Sequence, residues 1–148
     1  MGNLRMSLIW LVVLVAFGAA AYLRLAPSDP AHWHQAAAFH DIAPKQGKRF
    51  YIWRQGVEAA GAEKLATLNR IIAQTPRTSL LAGSLETRQL TYITRSKVMG
   101  FPDYTTLGIY QARDGQRYLE IYGRSRFGRS DLGVNADRIK RWLRQAQI

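Results

Sequence analysis

An apolar run near the amino terminus is the longest regular feature of the hydrophobic pattern. The 18 consecutive positions 6–23 carry no charge, and Arg5 and Arg24 flank them. At about 1.5 Å per residue such a run spans roughly 27 Å, close to the thickness of a bilayer's hydrocarbon core. It predicts a single transmembrane anchor over residues 1–24. A cleaved signal is the alternative, because two alanines near the end of the run fit a cleavage site, but the run is longer than a usual signal core.

The charges beside this run predict its orientation. The amino terminus and Arg5 place two positive charges on one side, whereas Arg24 is the only cation on the other side before Lys45. Cationic flanks tend to stay in the cytoplasm, so we predict a cytoplasmic amino terminus. The rest of the chain would then lie across an inner (cytoplasmic) membrane, in the periplasm if the source is a Gram-negative bacterium.

Residues 25–48 show no sustained hydrophobic period. They contain three of the five prolines and all three histidines. We predict a juxtamembrane linker that runs along the membrane surface, with Trp33 at the interface.

Two later stretches have helical spacing. Apolar residues recur every three to four positions over 57–74, and Pro76 cannot continue that pattern. The same spacing returns over 135–147, where Asn135 is a favoured N-cap residue and Asp137 lies in the first turn. Both stretches predict amphipathic helices.

The period changes to two between these helices. Segments 88–100, 103–113 and 117–126 are rich in β-branched and aromatic residues, and a short aromatic stretch at 50–53 precedes the first helix. The Asp-Gly pair within 113–116 predicts a tight hairpin between the last two of these strands.

These elements predict an α+β fold over residues 49–148, a small two-layer domain in which an antiparallel sheet of about four strands packs on two helices. Alternation assigns the side chains of the last two strands to opposite faces. The aliphatic face, which the helices should cover, carries Leu107, Ile109, Leu119 and Ile121. The tyrosine face carries Tyr104, Tyr110, Tyr118, Tyr122 and Arg124. We expect the tyrosine face to be more open to solvent, membrane or a partner; the alternative is a second packed layer or an ordinary amphipathic outer surface.

Composition narrows the possible classes of function. The chain has 21 Lys and Arg residues, 10 Asp and Glu residues and no cysteine. The positive excess favours an anionic partner such as lipid headgroups, nucleic acid or an acidic protein face. The absence of cysteine excludes disulfides, cysteine nucleophiles and thiolate metal sites. Seven of the cations lie within residues 124–144, which suggests contact with a membrane surface or with an acidic face of a membrane complex.

Residues 124–139 form the main candidate for a binding site. They lead from the last predicted strand into the last predicted helix, whose amides could hold a phosphate or carboxylate beside the arginines. We favour a structural role instead, in which Asp131 pairs with an arginine and anchors the loop, while Gly128 and Gly133 adopt unusual dihedral angles. The candidate ligand-binding residues are Arg95, Arg124, Arg126, Arg129, Ser130, Asp131, Asn135 and Arg138.

Other chemistries receive little support. Zinc or copper could bind His32, His34, His40 and Asp41, but their spacing in a proline-bounded linker implies no preorganised geometry. No histidine follows position 40 and no GxSxG motif occurs, so a hydrolase would lack its base and nucleophile elbow. We predict no metal site and no cofactor. Nucleic-acid binding is disfavoured, since the anchor would carry the domain out of the cytoplasm.

Several stretches resemble the family known as domain of unknown function 1499. They read TPRTSLLAGS, TRSKVMGFPDYTT and YGRSRFGRSDLGVNADRIKRWL, and the upstream RLAPSDPAHWH is similar to the linker of membrane-anchored bacterial members. The resemblance covers roughly residues 24–143. The family has no settled biochemical activity. Its members occur in bacteria and photosynthetic eukaryotes, often behind a signal or anchor, so the resemblance implies an extracytoplasmic or organellar-membrane domain.

We therefore expect a membrane-anchored, non-catalytic accessory or binding module whose basic surface contacts anionic lipid or a membrane-protein complex. The alternative is a carrier or an enzyme for a small anionic or lipid ligand held on the tyrosine face.

Overall fold

A computed structural model of the chain describes residues 2–38 and 43–148 as helices and strands around one antiparallel sheet. In chain order the elements are α1 (Gly2–Leu25), α2 (Pro30–Trp33), β1 (Lys45–Gln46), β2 (Phe50–Gly56), α3 (Gly61–Ala73), β3 (Thr78–Ser84), β4 (Gln89–Arg95), β5 (Pro102–Gln111), β6 (Arg117–Ser125) and α4 (Val134–Ala146). The predicted α+β class is confirmed.

The apolar run forms α1. Residues Asn3–Leu25 make a helix long and apolar enough to cross a membrane, and its apolar part does not pack inside the domain. The prediction of a helix of membrane-spanning length is confirmed. At its end the Arg95 guanidinium Nη1 donates to the carbonyl oxygen of Arg24 at 2.8 Å, so α1 ends against the domain.

The sheet has six strands in the order β1-β2-β6-β5-β4-β3, with antiparallel neighbours throughout. The prediction of about four strands was therefore too low. The two additional strands, β1 and β3, form the edges. Small residues dominate β3, and a register shift between Leu80 and Ala82 breaks its alternation. Since β1 has only two residues, neither edge has a clear period of two.

Both long helices of the domain, α3 and α4, pack on the aliphatic face of the sheet, as predicted. Leu107, Leu119 and Ile121 are fully buried there, and Ile109 is partly buried. The Trp142 indole Nε1 donates to Thr75 Oγ1 at 2.9 Å and so joins α4 to the end of α3. The helices supply Leu65, Leu68, Ile72, Ile139, Trp142 and Leu143 to this core.

The helix starts differ from those predicted. Gly61 begins α3, so Val57 is buried in the preceding turn rather than in the helix. Gly133 is the N-cap of α4, with a φ of 83°. That left-handed conformation suits glycine because it lacks a Cβ. Asn135, the predicted N-cap, is instead buried within the first turn.

One end of the sheet meets the end of α1, and we call it the membrane-proximal end. Loops 96–101 and 126–133 lie there, with the rings of Phe101 and Phe127 6.0 Å apart. The Arg126 guanidinium Nη1 donates to the carbonyl oxygen of Pro27 at 2.8 Å. Turns 85–88 and 112–116 lie at the opposite, far end, because adjacent strands run antiparallel.

Candidate functional site

The tyrosine face is covered by the segment that follows α1. We call residues 26–38 the strap. The Trp33 and Tyr104 rings stack with centroids 3.7 Å apart, and Ser28 Oγ lies 2.7 Å from the Tyr104 hydroxyl oxygen. His34 Nδ1 lies 2.9 Å from Thr91 Oγ1. The predicted linker therefore packs on the sheet through these aromatic and polar groups, and its course along the membrane surface stays a prediction.

Buried charges fix the strap to the sheet. Glu120 is fully buried, and its carboxylate accepts hydrogen bonds from Arg54 Nε at 2.7 Å and from Ala37 N at 2.9 Å. Arg124 donates to the carbonyl oxygen of Trp33 and, at 3.1 Å, to Thr106 Oγ1. Of the candidate ligand-binding residues, Arg124 is thus engaged beneath the strap.

Burial also changes the acid–base properties of the tyrosine face. It raises the pKa of the Tyr110 hydroxyl well above its ordinary value, and the negative charge of Glu120 raises this pKa further. Burial likewise raises the pKa values of Tyr118 and Tyr122. These tyrosines stay neutral near pH 7, so they do not supply a base poised for catalysis there.

The loop before α4 is closed by Asp131. Its Oδ1 accepts from Gly133 N at 3.0 Å, and its Oδ2 accepts from Asn135 N at 3.3 Å and from Asn135 Nδ2 at 2.8 Å. Among the described residues these groups, and not an arginine, are the hydrogen-bond partners of its carboxylate. The expected arginine pair was therefore wrong. A carboxylate at the start of α4 also disfavours an anion there, since like charges repel. The unusual dihedral angles expected of Gly128 and Gly133 are confirmed, with φ values of 89° and 83°.

A basic cleft opens on the helix side of the membrane-proximal end. It lies between α3, α4 and the end of β4, with a volume of about 730 Å³. One carboxylate, Asp103, lines it, together with the apolar side chains of Ile71 and Trp142. The cations that line it are Arg77, Arg95, Lys97, Arg138 and Arg141. An anionic ligand would find a strong positive excess here.

Two of these cations also support the structure. Arg138 Nη2 donates to Asp103 Oδ2 at 2.6 Å and to Asn135 Oδ1 at 3.0 Å. Arg95 Nη1 donates to the carbonyl oxygens of Arg24 and Gly100. These bonds use a single nitrogen of each guanidinium, so other N–H groups of both arginines can face the cleft.

The remaining cations of the cleft are exposed. Arg77 Nε donates to the carbonyl oxygen of Arg95 at 3.2 Å. In the described part of the chain, the side chains of Lys97 and Arg141 have no hydrogen bond or ion pair. Their ammonium and guanidinium groups are therefore available to a ligand.

Exposed apolar side chains occupy the two loops at this end and the first position of α4. We call Val98, Met99, Leu132 and Val134 the apolar rim; they are 81%, 47%, 89% and 52% exposed. Exposed cations, Lys97 and Arg129, stand beside them. Apolar groups clustered on a surface and bordered by charge are typical of a protein or membrane contact.

The predicted binding residues thus fall into separate places. The cleft contains Arg95 and Arg138. Loop 126–133 contains Arg126, Arg129, Ser130 and Asp131, of which Arg129 and Ser130 are exposed. Tyr104, Tyr110, Tyr118 and Tyr122 lie on the strap side, and only Tyr104 is fully buried.

Sequence reasoning missed three cations of the cleft, Arg77, Lys97 and Arg141, because they come from distant parts of the chain. A local signal did exist. The sequence Lys97-Val98-Met99 puts a cation and two apolar residues in a loop between strands, where polar turn residues are usual.

The histidines have structural contacts. His32 packs edge-on against the Trp33 ring at 4.8 Å, and His34 contacts Thr91. His40 and Asp41 lie outside the described residues. Within residues 2–38 and 43–148, no group of three His, Cys, Asp or Glu side chains could hold a metal ion.

Comparison with known proteins identifies a family, but it does not identify an activity. The model of a family described as "Protein of unknown function (DUF1499)" matches residues 23–146. The match runs from the last turn of α1 to the end of α4, so it includes the strap, the sheet and the basic cleft. No curated protein matches the chain.

Proposed function

Since the chain belongs to the DUF1499 family, whose function is unknown, we propose a function from its own geometry. It is a membrane-anchored, non-catalytic binding module that rests its membrane-proximal end on the bilayer and contacts anionic lipid there. One observation carries the proposal: the end of α1, the apolar rim and a group of exposed cations all lie at one end of the sheet. The inner membrane and the periplasmic side are part of the proposal, supported by the charges that flank α1.

The connection between α1 and the domain supports this placement. Arg95 caps the carbonyl of Arg24 in the last turn of α1, where the helix dipole favours a cation. Ala26, two residues later, is already buried, at 4% exposure. With so short a connection, the domain would stay at the bilayer surface when α1 spans the membrane.

The side chains at this end suit an anionic bilayer. Each Lys or Arg near such a surface contributes about 1 kcal/mol of attraction, and Lys97 and Arg129 are exposed here. Val98 and Leu132 can bury their apolar surface among the acyl chains and headgroups. Turn 112–116 at the far end reads ARDGQ, so its one cation stands beside a carboxylate and it contains no large apolar side chain.

Two alternatives would use the structure differently. An acidic face of a membrane-protein complex would bind the same exposed cations. A carrier or enzyme for a small ligand would need space on the tyrosine face, which the strap covers. A cavity of about 250 Å³ beside Trp33 and Arg124 remains there. A ligand pocket of drug-like size usually exceeds about 300 Å³, so the geometry favours the surface module.

Hydrogen exchange of the full chain in nanodiscs tests the proposal. We compare neutral phosphatidylcholine discs with discs that contain phosphatidylglycerol. Amides of 97–101 and 127–133 should exchange more slowly in the anionic discs, and salt should remove part of this protection by screening. Amides of 112–116 are the internal control and should not change.

If residues 97–101 and 127–133 exchanged at the same rate in neutral and anionic discs, the proposal would be contradicted. If a protein partner then co-purified after mild solubilisation, the complex would be favoured. If native mass spectrometry found a stoichiometric small ligand, the carrier would be favoured instead.

A further inference from the structure

We infer that the basic cleft binds the phosphate group in the headgroup of an anionic phospholipid. This inference rests on the proposed function, because it names the ligand of the same membrane-proximal end. A free phosphate ester or inorganic phosphate shares the chemistry and is the other source to be separated by experiment.

The charge balance of the cleft favours phosphate. Five cations line it against one carboxylate, Asp103. Arg138 already pairs with that carboxylate at 2.6 Å, which leaves four positive charges around the cavity. Phosphate can carry up to two negative charges and offers several acceptor oxygens, and guanidinium groups match it with two parallel hydrogen bonds.

Two arginines are held side by side at the edge of the cleft. Arg95 N donates to the carbonyl oxygen of Arg77 at 2.9 Å, and Arg77 Nε donates back to the carbonyl oxygen of Arg95 at 3.2 Å. Arg77 has a φ of 60°, a left-handed conformation that glycine or asparagine adopts at lower cost. The turn itself does not favour an arginine, whereas the charge of its side chain suits the cleft.

The apolar side of the cleft favours a lipid over a bare ion. Ile71, Val134 and Trp142 line this side. Trp142 is almost fully buried, at 2% exposure, so the accessible apolar surface comes chiefly from Val134, which is 52% exposed. A cavity of about 730 Å³ exceeds what one phosphate needs and leaves space for a glycerol backbone.

The position of the cleft also fits a headgroup. Arg95, one of its lining residues, bonds to Arg24 in the last turn of α1. The cleft therefore begins where a membrane-spanning α1 would leave the hydrocarbon core, at the depth of the lipid phosphates.

Calorimetric titration of the full chain in uncharged detergent micelles tests the inference. The probes are dihexanoyl phosphatidic acid, glycerol 3-phosphate and inorganic phosphate. Lys97→Gln/Arg141→Gln removes two exposed cations of the cleft. Arg113→Gln/Arg117→Gln removes two exposed cations at the far end and so matches the loss of charge.

Phosphatidic acid should bind about tenfold more weakly to the Lys97→Gln/Arg141→Gln variant than to the unmodified chain. The Arg113→Gln/Arg117→Gln variant should bind it with nearly unchanged affinity. Inorganic phosphate should compete only at higher concentration. If it binds as tightly as the lipid, a free phosphate compound is the source and the phosphate site still stands. No binding by any probe, or equal weakening in both pairs, would overturn the inference.

Arg77→Gly separates binding from folding. Glycine suits the φ of 60° at this position, so the thermal midpoint should hold or rise while phosphatidic acid binds more weakly. Unchanged binding would remove Arg77 from the site.

The two proposals can fail separately. If hydrogen exchange slows in anionic nanodiscs but no probe binds the cleft, the phosphate site alone is overturned. Cleft binding without that exchange effect would instead count against the proposed function.

Discussion

Cations occur in two settings in this protein, buried beneath the strap and exposed around the basic cleft. Arg54 and Arg124 are 5% and 7% exposed, and both bond to groups that join the strap and the sheet. Lys97 and Arg141 are exposed at the membrane-proximal end. The formal charge of +11 therefore overstates the surface available to an anion, since part of it stabilises the fold.

Substitutions in the two settings should have different effects. A buried charge is desolvated, so loss of its partner should lower stability strongly. An exposed charge is already solvated, so its loss should affect binding and leave stability nearly unchanged. Five variants, one of them with two substitutions, separate these effects.

The largest loss is expected for Glu120→Ala. It leaves Arg54 without this carboxylate and Ala37 N without an acceptor, which should lower the free energy of unfolding by about 3–5 kcal/mol. Denaturant unfolding of the full chain in detergent measures it. Glu120→Gln keeps an acceptor for Ala37 N and should lose less. A loss below about 1 kcal/mol for Glu120→Ala would mean that the buried pair is not essential.

Trp33→Ala should lower the free energy of unfolding by about 2 kcal/mol. It removes the ring that stacks on Tyr104 and lies 5.4 Å from the Arg124 guanidinium. Gln35→Ala, at an exposed position of the strap, is the control and should leave the unfolding midpoint unchanged. Equal midpoints for both variants would show that the strap is not fixed on the sheet.

Arg138→Gln tests a cation that is both buried and part of the cleft. Its bonds to Asp103 and Asn135 should make the loss of unfolding free energy about 1–3 kcal/mol. Arg144→Gln, at an exposed position of α4, should change it little. If both variants unfold alike, the Arg138–Asp103 pair does not stabilise the fold.

Alkaline pH should lower the free energy of unfolding through the ionisation of Tyr110. Its folded pKa is raised, chiefly by burial, whereas an unfolded tyrosine titrates near about pH 10. The unfolded chain therefore loses this proton first, so the contribution to stability is complete below about pH 10 and falls at higher pH. Denaturant unfolding across this range should show a smaller decline for Tyr110→Phe than for the unmodified chain. Parallel declines would contradict the raised pKa.

The smallest effect on stability is expected for Lys97→Gln/Arg141→Gln. Both side chains are exposed, so the free energy of unfolding should change by less than about 0.5 kcal/mol. Thermal unfolding by circular dichroism measures it. A large loss would mean that these cations stabilise the fold rather than face a ligand.

The helix face of the sheet could be predicted because its signal is local. Leu107 and Ile109 alternate with Thr106, Gly108 and Tyr110. The register pairs Leu107 with Ile121 and Ile109 with Leu119. Edge strand β3 escaped prediction because its small residues and its bulge remove the alternation on which such predictions depend.

The strap could not be predicted from spacing, because its contacts join distant residues. Ala37 bonds to Glu120, and Ser28 contacts Tyr104. One signal was present: Glu120 lies on the tyrosine face of an aromatic-rich strand, where a carboxylate requires a partner. The basic cleft likewise combines parts of α3, β4 and α4, so the charge density of residues 124–144 indicated only one of its walls.

Depth measurement at the two ends of the sheet tests the central claim most directly. The chain has no cysteine, so Val98→Cys and Arg113→Cys each accept one spin label in the full protein. In anionic nanodiscs, the label at position 98 should be accessible to oxygen and shielded from a water-soluble nickel chelate, and the label at position 113 should show the reverse. If both labels are equally accessible to the nickel chelate, the membrane-proximal end does not rest on the bilayer.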